Sequence, residues 1–272
     1  MALAAAIQMV SGAELERNFD QAAGLLRQAA QAGAKLAVLP ENFAFMGAGD
    51  SAKLAVAELS GEGPIQAFLS AQARELRMWI VGGTVPLRTA DDAMRAYASC
   101  LVFNDEGRLA VRFDKLHLFD VRIPGREESY EESRCTLAGD AVYVIDSPVG
   151  RLGLAVCYDL RFPELFRRLA DETVEVIALP SAFTATTGRA HWEVLLRARA
   201  IENLSYVIAP DQGGEHPGGR ETWGDSLIVD PWGQVMKRLA RGPGFVLADI
   251  DLARLHDVRE RFPALRHRRQ KI

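Results

Sequence analysis

Cys157 stands at a position where a thiol can act as a nucleophile. It follows the apolar run of residues 150–156, which predicts a buried strand, and it precedes a turn and a helix that begins at Pro163. A thiol on a sharp strand-to-helix turn projects above the edge of a sheet, beside backbone N–H groups that favour a thiolate and an oxyanion. A free cysteine is also often a small buried hydrophobe, so the turn alone leaves both interpretations open.

Two charged residues occupy comparable positions at the ends of other predicted strands. Residues 35–39 form a short apolar run that is halted by a proline, and Glu41 follows directly. Lys115 follows the strand-like residues 101–103 and 109–111. Because ligands of open α/β sheets gather outside the carboxyl ends of the strands, three such ends can bring a carboxylate, an ammonium group and a thiol together. Taken singly, each charge is equally consistent with a solvated side chain.

These segments together resemble the nitrilase superfamily of carbon-nitrogen hydrolases, whose triad is Glu, Lys and Cys in that chain order. The resemblance covers essentially the whole chain and is most specific at residues 157–164. It implies that Glu41 is the general base, Lys115 the catalytic lysine and Cys157 the nucleophile. It also implies a second glutamate near the site, which falls on Glu132, although composition alone makes that stretch a solvated acidic face.

The chemistry of such a triad is amide hydrolysis through a thioester. An unperturbed thiol with a pKa of about 8.5 is only a few per cent thiolate at pH 7, so it requires a base or a cation beside it. With Glu41 as the base, Cys157 attacks the amide carbonyl, and the Lys115 ammonium and the Tyr158 N–H hold the oxyanion. Loss of the amine leaves a thioester, which water attacks with the same carboxylate as base.

Length and periodicity predict one α/β domain over residues 1–272. The chain is 49% hydrophobic and 25% charged, which suffices for a large core. Residues 14–32 predict a helix, residues 78–81 a strand and residues 192–203 a further helix, in an alternation that is typical of α/β layering. The family resemblance implies a four-layer α-β-β-α sandwich, doubled in a homodimer through contacts that include the helix after Cys157.

Charge and cysteine usage bear on partners and location. The net charge of −4 gives no electrostatic footprint for nucleic acid. The three cysteines form neither a metal-ligand spacing nor an obvious disulfide framework, and residues 1–9 lack the features of a signal peptide or a membrane span. The sequence therefore predicts a cytoplasmic protein without a membrane partner. It contains no motif for a metal or a nucleotide cofactor, so neither is expected.

Residues 180–200 carry the information about the substrate. They resemble the branch with the deaminated glutathione amidases and the omega-amidases, and residues 190–202 favour the former. This resemblance implies a small amide of a 2-oxoglutarate-type acid. Hydrolysis of deaminated glutathione would give 2-oxoglutarate and Cys-Gly. The alternative substrates are 2-oxoglutaramate, another small aliphatic amide and a carbamoyl compound. Substrate carboxylates need cationic or N–H partners, and the candidate contacts are Arg161, Phe183 and Thr187.

The candidate contacts have structural alternatives. Arg161 is equally suited to a buried ion pair with Asp159 or Glu164. Phe183 and Thr187 are equally consistent with an ordinary core residue and an ordinary loop residue. The glycine-rich residues 211–220, which depart from the branch pattern, are either a flexible surface connection or a cover over the mouth of a pocket.

Three other functions are compatible with parts of the sequence. A papain-like pair of Cys157 with His191 or His216 would also give a thiol hydrolase, but it leaves the other charged residues unexplained. Capture of the thioester by an amine would give an acyltransferase. A non-catalytic interaction subunit would use the same fold without turnover, although all the candidate site positions carry chemically competent residues.

Overall fold

The computed structural model describes residues 1–124 and 128–270. In this part of the chain the strands are β1 (Ala2–Gln8), β2 (Ala34–Val38), β3 (Trp79–Val81), β4 (Val85–Thr89), β5 (Asp92–Phe103), β6 (Leu109–Asp114), β7 (Asp120–Arg122), β8 (Ser129–Glu131), β9 (Thr136–Leu137), β10 (Val144–Ser147), β11 (Gly150–Leu154), β12 (Val176–Ala178), β13 (Tyr206–Ala209), β14 (Ser226–Val229), β15 (Val235–Leu239) and β16 (Gly244–Ile250). The helices are α1 (Leu15–Gln31), α2 (Pro64–Leu76), α3 (Pro163–Asp171), α4 (Ala185–Asn203) and α5 (Leu252–Arg261).

Most strands belong to two sheets. The first sheet has the order β16-β1-β2-β3-β5-β4, with β6 and β9 also paired to β5, and the second has the order β10-β11-β12-β13-β14-β15. In each sheet three successive strands are parallel, β1, β2 and β3 in one and β11, β12 and β13 in the other. Helices α1 and α2 connect the first set, and α3 and α4 connect the second. Each sheet is therefore built on two βαβ crossovers.

The alternation of side chains along β1 shows how the layers are stacked. Ala4 and Ala6 belong to a core that contains the buried residues of β11, β12 and β13, whereas Ala5 and Ile7 belong to a core with the buried faces of α1 and α2. Successive side chains of a strand point to opposite faces, so the first sheet lies between those helices and the second sheet.

Helices α3 and α4 complete the layers on the other side. Their buried side chains, among them Phe166, Trp192 and Leu196, join the core of the second sheet. The order of layers is thus helices, first sheet, second sheet and helices. The four-layer α-β-β-α sandwich implied by the family resemblance is confirmed.

The largest difference from the sequence prediction is the start of α4. This helix begins at Ala185 rather than at residue 192, because the Thr184 side chain accepts the Thr187 N–H and caps the first turn. Gly188 within this turn lies against Trp223, where a Cβ would come within 2.2 Å of the Trp223 Cβ. Thr187, which was equally consistent with an ordinary loop residue, therefore lies in the first turn of the helix, and Gly188 permits a close approach to Trp223.

Candidate active site

Three chain segments from both sheets meet at one site. Glu41 follows β2 and Lys115 directly follows β6, both in the first sheet, while Cys157 follows β11 in the second. The Lys115 Nζ lies 2.8 Å from Glu41 Oε1. The strand ends bring these groups together, but the strands belong to two stacked sheets and not to one open sheet.

The turn that carries Cys157 has a strained backbone. Cys157 has a φ of +47°, in the left-handed region that a non-glycine residue seldom adopts. Its N–H donates to the Pro180 carbonyl over 2.9 Å. The buried Asp159 carboxylate accepts the Val156 N–H and the His117 N–H, each over 2.9 Å. Asp159 thus ties the nucleophile turn to the segment that follows Lys115.

Lys115 is enclosed by carboxylates. Its side chain is 2% exposed, and Nζ lies 2.9 Å from Glu132 Oε2 in addition to its contact with Glu41. Burial by itself lowers the pKa of Lys115, but Glu132 and Glu41 raise it well above its ordinary value. Lys115 is therefore a fixed cation at neutral pH.

Glu132 is a fixed anion for the reciprocal reason. Burial alone raises its pKa, but the charges of Lys115 and Lys53 and the Phe119 N–H outweigh burial and hold the pKa of Glu132 at about 2. Lys53 Nζ lies 3.7 Å from Glu132, and the Phe119 N–H donates to Glu132 over 2.8 Å. The acidic stretch that composition makes a solvated face thus supplies a buried charge.

The Cys157 thiol is held in its neutral form. Burial raises the pKa of Cys157 well above its ordinary value, and the negative charge of Glu41 raises it further. The Lys115 ammonium and the Ala182 backbone N–H act in the opposite direction but are outweighed. The sequence-based expectation of a turn that favours a thiolate is therefore wrong for the free protein, because desolvation dominates. A proton acceptor is needed at the moment of attack, and Glu41 is adjacent.

A cavity lies over these groups. It is lined by every site residue that the sequence predicted, namely Glu41, Lys115, Glu132, Cys157, Tyr158, Arg161, Phe183 and Thr187. Lys53, Asp50 and Arg220 also line it and were not predicted. Lys53 carried no signal in the sequence, whereas Arg220 ends the glycine-rich segment that departs from the branch pattern.

Arg161 presents its charge to this cavity. Its guanidinium lies over the rings of Tyr158 and Phe183, at 5.8 and 5.3 Å from the centroids, and Nη1 is 3.1 Å from His191 Nδ1. Burial and the neighbouring Arg161 charge lower the pKa of His191, which keeps that ring neutral and able to accept a hydrogen bond. Asp159 is occupied by the nucleophile turn, so the contacts of Arg161 favour its role at the cavity over an ion pair.

The glycine-rich segment 211–220 is held to the rest of the protein by hydrogen bonds of His216 and is not a flexible surface connection. His216 is buried, with Nδ1 2.8 Å from the Ser11 carbonyl and Nε2 2.7 Å from Thr222 Oγ1. Within residues 1–124 and 128–270, neither His191 nor His216 lines the cavity that contains Cys157. The papain-like pairing therefore has no geometric support.

In the part of the chain that the structure describes, no group of three or more His, Cys, Asp or Glu side chains could hold a metal ion. Among the same residues, no helix is both long and apolar enough to cross a bilayer. The absence of a cofactor stays a prediction.

The Glu132 charge gives a testable pH dependence of stability. The folded-state pKa of about 2 lies below the ordinary value of 4.5, so the folded protein binds the Glu132 proton more weakly than the unfolded chain does. This contribution, about 3 kcal/mol, is complete above about pH 5 and is lost as the pH falls towards 2. We expect Glu132→Gln to lower the free energy of unfolding at pH 7, with the deficit relative to wild type roughly halved at pH 3.

Urea unfolding at pH 7, 5 and 3 measures this difference. Glu131→Gln is the matched control, because Glu131 is exposed and, among the residues that the structure describes, pairs only with the exposed Arg134. The control should match wild type within about 0.5 kcal/mol at each pH. A Glu132→Gln deficit that stayed constant down to pH 3 would contradict the assignment of a low pKa to Glu132.

Comparisons with known proteins agree with this geometry. The sequence profile of the carbon-nitrogen hydrolase family matches residues 3–260. A deaminated glutathione amidase of Synechocystis sp. is 43% identical over 269 residues, which are 98% of this chain and 97% of that protein. The chain also superposes on Saccharomyces cerevisiae Nit3, a member of branch 10 of the nitrilase superfamily, with a TM-score of 0.88 and 28% identity over 99% of this chain and 97% of that chain.

A third similar structure is the NitFhit protein of C. elegans. The TM-score is 0.92 with 36% identity, and the match covers 99% of this chain but 66% of that longer chain. The fold, the matched profile and the full-length relative lead to the same assignment. This chain belongs to the carbon-nitrogen hydrolase family of the nitrilase superfamily and is a hydrolase of carbon–nitrogen bonds.

Proposed function

We propose that the protein is a thiol-dependent amidase that hydrolyses deaminated glutathione to 2-oxoglutarate and Cys-Gly. The observation that carries the chemistry is the position of Lys115 Nζ, 2.8 Å from Glu41 and 2.9 Å from Glu132 in the cavity that contains Cys157. The substrate rests on the similarity to the Synechocystis deaminated glutathione amidase, which extends over nearly the whole of both chains.

In the proposed acylation step, Glu41 takes the proton of the Cys157 thiol as sulfur attacks the amide carbon. A C–S bond forms, and the carbonyl π electrons become an oxyanion beside the Lys115 ammonium and the Tyr158 N–H. Collapse breaks the C–N bond, and Glu41 returns the proton to the departing amine. The raised pKa of the thiol makes this transfer concerted with attack, since the free protein holds little thiolate.

In the deacylation step, Glu41 takes a proton from a water molecule that attacks the thioester. The C–S bond breaks, the carboxylic acid is released and the thiol regains its proton. Glu132 contacts neither the thiol nor the carbonyl in this scheme. It keeps Lys115 protonated and fixes its Nζ, which is a positioning role that the 2.9 Å contact supports.

The acyl half of the substrate is proposed to lie against Arg161, Phe183 and Thr187. The Arg161 guanidinium offers two parallel N–H donors to a carboxylate, and its contacts with two aromatic rings hold it in place. Thr187 lies in the first turn of α4, with its hydroxyl 2.9 Å from the Thr184 hydroxyl. A 2-oxo acid suits the part of the cavity that carries the Arg161 guanidinium and the adjacent hydroxyl groups.

The test is a direct comparison of amide substrates. Deaminated glutathione, 2-oxoglutaramate, propionamide, a carbamoyl amino acid and propionitrile are supplied separately, and release of Cys-Gly or ammonia is measured. We expect kcat/KM for deaminated glutathione to exceed that for each other compound by about tenfold or more, because only this substrate uses both halves of the site. Faster turnover of 2-oxoglutaramate would instead identify an omega-amidase, and acyl transfer to an added amine would identify an acyltransferase.

We further propose that residues 1–272 act as one domain, that the protein forms a homodimer and that it works in the cytoplasm without a nucleic-acid or membrane partner. The exposed apolar side chains of Val194 and Ile201 on α4, which packs against α3, support an association on that side of the molecule.

A further inference from the structure

Arg220 lies where the catalytic cavity meets a wider groove. Together with Asp50 it lines the cavity that contains Cys157, and the same two residues line a wider adjoining groove. Arg161, the other guanidinium of the cavity, is absent from the described lining of the groove. The two arginines therefore face different parts of the space that a substrate would occupy.

The hydrogen-bonding capacity of Arg220 is only partly used. Nη1 is 3.4 Å from Asp50 Oδ1, Nη2 is 3.3 Å from the Ala182 carbonyl, and the guanidinium lies over the Tyr130 ring at 5.2 Å from its centroid. These are long contacts, and Nε is buried without a hydrogen-bond partner among the described residues. A guanidinium carries five N–H donors in a fork that matches a carboxylate, so Arg220 retains donors for a ligand.

Ala182 connects Arg220 to the reacting sulfur. The Ala182 N–H acts on the Cys157 thiol, while its carbonyl accepts from Arg220. Arg220 and Cys157 also line the same cavity, so a group bound by Arg220 can belong to a substrate whose amide reaches Cys157. The position of Arg220 therefore suits a substituent on the substrate and not an independent effector.

The order of the chemical steps decides which half of the substrate meets Arg220. The acyl half stays attached to Cys157 as a thioester while the amine departs, so the amine must occupy the side that opens to solvent. The groove is the wider side, and Arg220 stands at its junction with the cavity. Arg161, which faces the cavity alone, remains for the acyl half.

We infer that Arg220 is a specificity residue that binds a carboxylate on the leaving amine. The preferred substrates are then amides whose nitrogen carries an amino acid or a short peptide with a free carboxylate, and primary amides are poorer. This inference rests on the proposed function and deepens it, since it assigns recognition of the amine half to a residue that contacts neither the nucleophile nor the base.

A substrate grid tests this inference. Three acyl groups, 2-oxoglutaryl, succinyl and propionyl, are each joined to ammonia, to Cys-Gly and to Cys-Gly with an amidated carboxyl terminus. The measured quantity is the ratio of kcat/KM for Cys-Gly to kcat/KM for its amidated form, within one acyl group. We expect this ratio to be well above one for wild type and to fall roughly 10- to 100-fold in Arg220→Gln, as loss of a charged hydrogen-bonding partner predicts.

Two further variants test whether a change in the ratio comes from the Arg220 guanidinium itself. Arg241→Gln removes an exposed arginine that pairs with Glu221, and it should leave the ratio unchanged. Arg220→Lys, which keeps the charge but not the fork, should recover part of the ratio. If Arg220→Gln is poorly folded, product inhibition of wild type replaces it, with Cys-Gly expected to inhibit more strongly than its amidated form.

The outcomes separate this inference from the proposed function. A wild-type ratio near one, a ratio that Arg220→Gln leaves unchanged, or equal inhibition by the two products would overturn the role of Arg220. If only the 2-oxoglutaryl compounds were not hydrolysed, the proposed substrate would be overturned. The ratio of kcat/KM values measured with another acyl group would still decide the role of Arg220. Failure on the entire grid would overturn both.

Discussion

Replacing Cys157 by serine is expected to lower kcat by on the order of 10⁴-fold or more while leaving the fold intact. A hydroxyl is far less acidic than a thiol, so Glu41 cannot deprotonate it at a useful rate, and no other thiol lines the described part of the cavity. The measurement is steady-state amide hydrolysis, together with thermal unfolding of both proteins. Residual activity within tenfold of wild type would refute a thioester mechanism.

Cys100→Ser is the matched control for this substitution. Cys100 lies in β5 and is fully buried in the core between the sheets, and among the described residues it lines neither the cavity nor the groove. It should retain wild-type turnover. Alkylation by iodoacetamide adds a second readout, because Cys157 alone of the three cysteines belongs to the described lining of the cavity, and Glu41 lies beside it to accept the thiol proton. Preferential labelling of Cys157, blocked by a dicarboxylate substrate analogue, is expected of an enzyme and not of a scaffold subunit.

Lys115→Met is expected to affect catalysis and stability together. Removal of one charged oxyanion donor should lower kcat by about a hundredfold or more. It also leaves Glu41 and Glu132 buried without their shared cation, which should cost about 3–5 kcal/mol in the free energy of unfolding. Urea unfolding and steady-state kinetics on one preparation measure both effects. A variant as stable as wild type would show that the carboxylates are not held by Lys115.

Two further variants separate these effects. In Lys115→Met with Glu132→Gln, one of the unpaired charges is gone, so part of the stability should return while the activity should not. Lys53→Met removes a lysine that lies farther from Glu132, at 3.7 Å, and should have the smaller effect on both measurements. Recovery of activity in the double variant would mean that Lys115 acts only by balancing charge and not on the oxyanion.

Local patterns predicted the parts of the site that depend on one chain segment. They placed Glu41 and Lys115 after apolar runs and Cys157 at a turn before a helix, and the family resemblance then assigned the catalytic roles to these three residues. The structure brings these residues together as expected. The predicted limits of α1 were also close to those in the structure. Residues 14–32 were predicted to be helical, and the helix spans Leu15–Gln31. Apolar periodicity and the glycine that follows are properties of the segment itself.

The remaining features depend on contacts between distant segments. Periodicity shows which face of a strand is apolar but not which layer covers that face, so the stacking of two sheets came from the family resemblance alone. Glu132 resembles a solvated residue until its distance from Lys115 is known. Arg220 and Lys53 reach the cavity from segments that carry no catalytic pattern, and only the folded chain shows this.

The division of the site between two sheets has a consequence for damaged or partly melted protein. The sulfur is carried by one layer, while its base and its cation are carried by the other. If the layers separate, the thiol loses the groups that make it reactive before the individual layers need to melt. Loss of activity on heating should therefore measure the separation of the two layers. A chain whose layers have not yet packed together would not form a thioester with other amides.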